Sequence, residues 1–441
     1  MDEDERTPHP LAAARVARGF TNRVVFAAAL HAAAGRRGLR SGVDKARVRK
    51  WEVDGVRPDA VSQTYIAEVL GIPADDVDPA AWPAWLPPVD KGVVPLGHAN
   101  IVTALREALQ TMDRRTLLSA IPGSALVVLA GSWAGTKPSS IAARNPSPGA
   151  LVGEDVVALL EETSVRLNTL ATEQRQHIAP LYDAHLARVT DLIDEQRYSR
   201  PLGVRLHKLA ASLSQTVAWI RFDHGLHGAA IRYWIAGLHS AHAGADPDMG
   251  AALLSDLAYQ ASWRGDPTTA AGILTKALSR PTHPAASSLL HLRLARAQAA
   301  LGERRATLHS LSTAERLLDA GNSGDTPAWC SWMSPADLAV DSGRCLLDLD
   351  DITQAHSLIA EGQALLPTSR DKTRGIFLAY RAQGHLRRRE PEAAAADALD
   401  ALHLAERIGA PRCVQLVRDL VPSFAPYRAA EGVPELLQAI A

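Results

Sequence analysis

Between Asp44 and Pro58 the chain reads DKARVRKWEVDGVRP, with five basic residues around a Trp-Glu pair and a close on Gly55 and Pro58. On a helix that begins after Asp44, Val48 and Trp51 fall three apart and turn inward, which leaves Lys45, Ala46, Arg49 and Lys50 on the outer side. Such a face suits base edges in a major groove. Lysine and arginine donate to guanine, and a small Ala46 leaves room for a thymine methyl. Arg36, Arg37, Arg40 and Arg47, with Asn22 at the head of the preceding helix, are placed for phosphates, which supply affinity and register without sequence information. The local charge agrees. From Arg6 to Arg57 there are twelve Lys or Arg against three acids, an excess of +9, in a chain whose 47 basic and 48 acidic residues leave a net charge of -1.

Other groups with chemical potential are weaker signals. His224 with His227, and His239 with His242, form two H-x-x-H spacings that could present imidazoles to a metal, although 16 histidines are spread along the chain and no metal is assigned. Tyr233, Trp234, His227, Tyr259 and Trp263 cluster on successive helices, where they either wall a ligand groove or fill a core. The segment AWCSWMSPADLAV around Trp329 and Trp332 breaks the local rhythm and reads as a lid, a dimer contact or an irregular loop. No nucleophile elbow, phosphate loop or zinc-hydrolase motif occurs, so no catalytic residue and no cofactor are expected.

The elements that hold these residues are helices. Hydrophobic residues make up 47% of the 441 but aromatics only 5%, a balance weighted toward Ala and Leu that favours closely packed helices over strands. Four helical stretches lie between Pro10 and Leu70, each stopped by Gly or Pro. Thr21 or Asn22 caps the second, with Val24, Val25, Ala28 and Ala32 as its apolar face, and Asp44 caps the third. The Pro-crowded run IPADDVDPAAWPAWLPPVD then marks a boundary, with Trp82 and Trp85 pinning it to a neighbouring surface.

From about Leu151, turn signals at Gly225, Gly265, Gly302, Asp350 and Glu390 recur at the period of helix-pair repeats, whose stacked pairs supply the core and a concave binding surface. The expected architecture is therefore all-α: an N-terminal DNA-binding domain over 1–78, a Pro-rich linker with an apolar packing helix over 79–150, and a helical repeat domain over 151–441. Within the linker, Arg114 and Arg115 ahead of an apolar run resemble a twin-arginine export signal in the wrong place for one; a packing helix is the preferred reading, with translation from Met112 as the rival. The acidic, non-apolar first ten residues argue against a secretory signal, so the expectation is a cytoplasmic protein without a membrane anchor. Cys330, Cys345 and Cys413 are too few and too scattered for a disulfide framework and are expected as reduced, buried hydrophobes.

Residues 10–72 resemble the Cro and lambda repressor class of helix-turn-helix regulators. In that class the recognition helix ends in a pattern that Trp51, Glu52, Gly55 and Pro58 match here, with Val43 and Val48 at its apolar positions. The resemblance implies that Lys45, Ala46, Arg49 and Lys50 face the groove; the connection from Gly35 to Gly42 is longer than the usual tight turn. Joined to helical repeats, the domain looks like bacterial regulators with a tetratricopeptide-like sensor domain. That implies double-stranded DNA as partner, a homodimer, and a peptide, small-molecule or protein ligand in the repeat groove. The competing reading is a non-enzymatic interaction scaffold whose helix-turn-helix domain no longer reads DNA.

Overall fold

The computed structural model describes residues 9–17, 20, 22–70, 72, 77–83, 85–86, 93, 96–97, 100–110, 121–136, 151–169, 177–280, 283–320, 326–327 and 329–440; among them are 20 α-helices and no strand. The chain divides into two compact units, residues 1–94 with 119–129, and residues 95–118 with 130–441.

In the first unit, α1 (Pro10–Ala17), α2 (Arg23–Arg36), α3 (Lys45–Glu52) and α4 (Ala60–Leu70) surround one core that includes Leu11, Phe26, Leu30, Val48, Trp51 and Ile66. Side-chain caps start three of these helices. Asn22 accepts from the N–H groups of Val24 and Val25, Asp44 from that of Arg47, and Asp59 from that of Ser62. Helix α3 stops at Gly55, whose left-handed φ of 68° lets the Val56 N–H reach the Lys50 carbonyl at 3.1 Å.

The buried face of α2 is not the expected one. Val24, Val25, Ala28 and Ala32 are exposed, whereas Phe26, Ala27, Leu30, Ala33 and Ala34 are buried. Because α2 is Ala-rich and apolar nearly all round, its periodicity carries little direction, and its two largest apolar side chains, one turn apart, take the core.

The Pro-rich run begins as part of this same core. Trp82 and Trp85 meet edge to face at 5.5 Å and pack with buried Leu86 on the four helices. Trp85 Nε1 donates to Gln63 Oε1 at 2.9 Å, and Gln63 Nε2 donates to the Pro58 carbonyl at 2.9 Å, so the fully buried amide ties the segment down.

The second unit starts with α5 (Ile101–Leu109), includes the end of α6 (Gly123–Gly135), and continues through α7 (Glu154–Asn168) and α8 (Ala179–Glu195). Five sequential pairs follow: α9 (Arg200–Asp223) with α10 (His227–Ala243), α11 (Pro247–Trp263) with α12 (Pro267–Ala277), α13 (Pro284–Ala300) with α14 (Arg304–Ala320), α15 (Pro335–Asp348) with α16 (Ile352–Leu365), and α17 (Asp371–Arg387) with α18 (Pro391–Arg407). After them come α19 (Pro411–Leu420) and α20 (Val433–Ile440). Within these five pairs each helix packs chiefly on its sequence neighbours, the arrangement of a repeat solenoid.

One turn geometry joins these helices. Gly225, Ala245, Gly265, Gly302, Asp350, Arg389 and Gly409 all have positive φ, and in every case the next residue's N–H returns to the carbonyl five positions earlier at 2.8–3.0 Å. The following helix begins immediately, with Pro247, Pro267, Pro391 and Pro411 as first residues. Four of the five turns expected from the sequence fall on the left-handed residue itself; at the fifth it is Arg389 rather than Glu390.

Close approach is set by small residues. A methyl group added at Gly343 of α15 would lie 2.7 Å from both the Ala355 carbonyl and Ile359 Cγ1 of α16. An unconstrained helical Gly→Ala change gains roughly 1 kcal/mol in propensity. Here the contact is partly with backbone, which cannot rotate away, so Gly343→Ala is expected to lower stability by about 1–3 kcal/mol. Urea unfolding of the variant checks this, and a gain in stability would contradict it.

Helix α6 spans 13 residues, about 20 Å, against roughly 30 Å of bilayer hydrocarbon. Among the described residues no helix is long and apolar enough to cross a membrane. Trp133 near its end is fully buried, packed on Gly250 and capped by the Arg280 guanidinium 4.3 Å from its ring centroid. Arg114 and Arg115 of the export-like pattern lie outside the described residues. The three cysteines are free and buried, and burial pushes the Cys330 thiol up to about 11 and that of Cys345 to about 12, which keeps both protonated and unreactive.

Candidate nucleic-acid interface

Helix α3 is held by the end that faces inward. Val48 and Trp51 are sealed in the core, and Glu52 beside them is sealed with its charge. Its side chain is 0% exposed and accepts from Arg15 Nε on α1 and Arg23 Nε on α2, each at 2.6 Å, while the exposures of those side chains are 7% and 38%. A carboxylate buried this deeply persists only when paired, and two guanidinium groups from two helices satisfy it. The Trp-Glu pair thus anchors α3 doubly, by indole burial and by an ion triad.

The opposite face is open. Lys45, Ala46, Arg49 and Lys50 are all exposed and lie together at i, i+1, i+4 and i+5. Lys45 and Lys50 make no ion pair or side-chain hydrogen bond among the described residues. Arg49 lies 3.3 Å from Asp54 in a solvent-exposed pair, and such pairs are weak enough for a phosphate or base to displace the carboxylate.

The residues expected at phosphates divide into two groups. Arg40 is exposed without a partner among the described residues, and Arg47 is exposed with Asp59 at 4.0 Å. The Ser62 N–H holds the Asp59 carboxyl below its usual range, so that carboxylate stays charged beside Arg47. Arg36 and Arg37 instead share Glu68 of α4 at 2.6 and 2.9 Å, and the Asn22 oxygen is committed to capping α2. Arg15 and Arg23, counted in the basic excess, are both engaged by Glu52 and Arg15 is buried, so fewer cations face solvent than the sequence count suggests.

The five groove candidates of the second unit do not form an open wall. Trp234 and Tyr233 are buried, the latter donating to Asp183 at 3.0 Å. His227 packs on Phe222 with ring centroids 5.3 Å apart, and burial lowers its pKa below the usual histidine value. Tyr259 and Trp263, with Trp219 and Phe222, surround the guanidinium of Arg412 from α19 at 5.2–5.6 Å from each ring centroid. Arg412 Nη1 also donates to the Tyr259 hydroxyl at 3.1 Å, and Asp223 lies 3.1 Å from Nε. The aromatic cluster is thus a cage filled by the chain's own cation, a cation–π contact that ties the end of the repeat body to its beginning. Trp219 and Phe222 are not among the sequence candidates, although their spacing of three puts both on one helix face; Arg412 carries no local signal, being 153 residues from Tyr259.

The H-x-x-H histidines do not converge into a metal-ligand group. His239 and His242 are buried in α10, and His224 bonds the Ile220 carbonyl at 2.7 Å. In the aromatic-rich loop, Cys330 and Met333 are buried and Trp329 packs beside them, while Trp332 is exposed. No protein-family model matches the chain, and no curated protein matches it significantly.

Proposed function

We propose that this chain is a bacterial transcription regulator of the helix-turn-helix class, reading double-stranded DNA through α3 and using its tetratricopeptide-like repeat body to dimerise, to sense a ligand, or both. The observation that carries the reading is the two-sided character of α3. One face is locked by Trp51 and the Glu52 triad, and the other presents Lys45, Ala46 and Lys50 to solvent, the two lysines without an acidic partner among the described residues. A helix meant only to be solvated gains nothing from so rigid a mount, whereas base readout needs side chains held in a fixed frame. Two copies read two half-sites, which gives selectivity that one short helix lacks. The working compartment of such a protein is the cytoplasm, and its role is binding rather than catalysis.

Selection of bound duplexes from a random pool tests the proposal. The expected result is an enriched motif with two related halves, bound with an affinity that falls steeply as salt rises. Folded protein that enriches no motif at low salt would favour the scaffold reading instead.

A further inference from the structure

Among the described residues, one group of side chains has the composition and closeness of a metal site: His356, His385 and Glu390, each offering a ligand atom within 4.8 Å of the other two. They come from three successive elements. His356 is on α16, His385 lies in the last turn of α17, and Glu390 stands at the head of α18. The tight turn at Arg389 folds Glu390 back onto His385, whose Nδ1 lies 2.7 Å from Glu390 Oε2. The two imidazoles meet edge to face with centroids 4.7 Å apart.

Two details bear on how freely these groups can take a ligand. Among the described residues His356 Nε2 is buried and has no hydrogen-bond partner, a state that costs free energy unless a ligand fills it. Glu390 occupies the cap position of α18 but makes no side-chain cap bond, so its carboxylate is not committed to the helix. Asp397 adds a further oxygen 3.6 Å from His385 Nε2. Arg388 on Glu390 Oε1 at 2.9 Å, and Arg381 on Asp397, orient the carboxylates from outside while withdrawing part of their charge.

We infer that His356, His385 and Glu390 bind a divalent transition ion of the zinc class, with water completing the coordination. Two imidazoles and one carboxylate favour such an ion over magnesium or calcium, which prefer oxygen donors alone. Ligand atoms around a tetrahedral zinc stand about 3.3 Å apart, given bonds of about 2.0–2.1 Å. Binding therefore requires the His385–Glu390 pair to open slightly and His356 to close in, movements within reach of side-chain rotation. The ion would clip the fourth helix pair to the fifth.

The test uses the full chain without an affinity tag, stripped of metal and titrated with cobalt(II) as a spectroscopic probe, then with zinc. One equivalent of cobalt should produce a visible ligand-field absorption, and zinc should abolish it. His356→Ala and Glu390→Gln should each weaken binding by at least about tenfold. The exposed His309→Ala should leave it unchanged. Zinc should also raise the melting temperature of the unaltered chain but not of the two variants. Circular dichroism establishes that the variants are folded. Absence of a one-equivalent signal, or undiminished binding by folded His356→Ala and Glu390→Gln, overturns the inference.

Discussion

Replacing Glu52 by Ala is expected to loosen the whole first unit while leaving the repeat body intact. The substitution deletes the carboxylate that pairs with Arg15 and Arg23 among the described residues, and the Arg15 side chain, 7% exposed, cannot turn out to water without dragging α1 from the core. Removing one partner of a buried ion pair typically costs about 3–5 kcal/mol, because the remaining charge stays desolvated. Hydrogen exchange on the intact chain is the appropriate measurement. Amides of α2, α3 and α4 should exchange roughly two to four decades faster in the variant, and those of α9 to α18 should not change. Glu52→Gln keeps the shape but only one acceptor oxygen, its NH2 turning a donor toward the other guanidinium, and should fall between. Unchanged protection in α3 would mean that the triad is incidental to the fold.

The second large effect is expected on DNA. With a selected duplex in hand, Lys45→Ala and Lys50→Ala should each weaken binding by about 1–3 kcal/mol, on the order of five- to 150-fold, and should relax selectivity at the positions each side chain contacts. Arg40→Ala should behave differently. A lost phosphate contact weakens all sequences alike and reduces the salt slope by about one. Arg36→Ala should matter less than Arg40→Ala, because the Arg36 guanidinium is already engaged by Glu68. Competition between specific and random duplex, repeated across a range of salt, separates these patterns. Equal losses for all the variants, or none, would remove α3 from the role of reader.

The helices were legible because their signals are local. Asn22 and Asp44 cap the helices that follow them, and Gly225, Gly265, Gly302 and Asp350 sit in the left-handed turns that end others. These outcomes are decided within a turn or two of chain, by whether a short side chain reaches an open N–H or a residue tolerates positive φ. The fifth turn shifted by one residue because Arg389 takes the left-handed position and leaves Glu390 to start the next helix. Legibility failed where local signals were silent. Nothing in α2 said which of its many apolar residues would face inward, and the exposed Val24 and Val25 show that a count of hydrophobic positions does not choose.

The candidate interface divides the same way. That Lys45, Ala46, Arg49 and Lys50 share one face follows from helical spacing alone, and the exposure of all four agrees with it. Which other cations remain available does not follow from spacing. Glu52 takes Arg15 from 37 residues away and Arg23 from 29, and Glu68 takes Arg36 from 32.

By itself, then, the amino-acid order determined an all-helical chain, the first four helices, four of the turns between repeat helices, and the polarity of α3. Only the tertiary structure decided which charges are spent inside, that the Tyr259 and Trp263 cage is filled by Arg412 from 153 residues on, and that His356 meets His385 and Glu390. The reason is physical. Helix and turn formation answer to neighbours a few residues away, whereas the partner of a buried charge, ring or imidazole is whichever group the packed chain brings within a few ångströms, at any distance along the sequence.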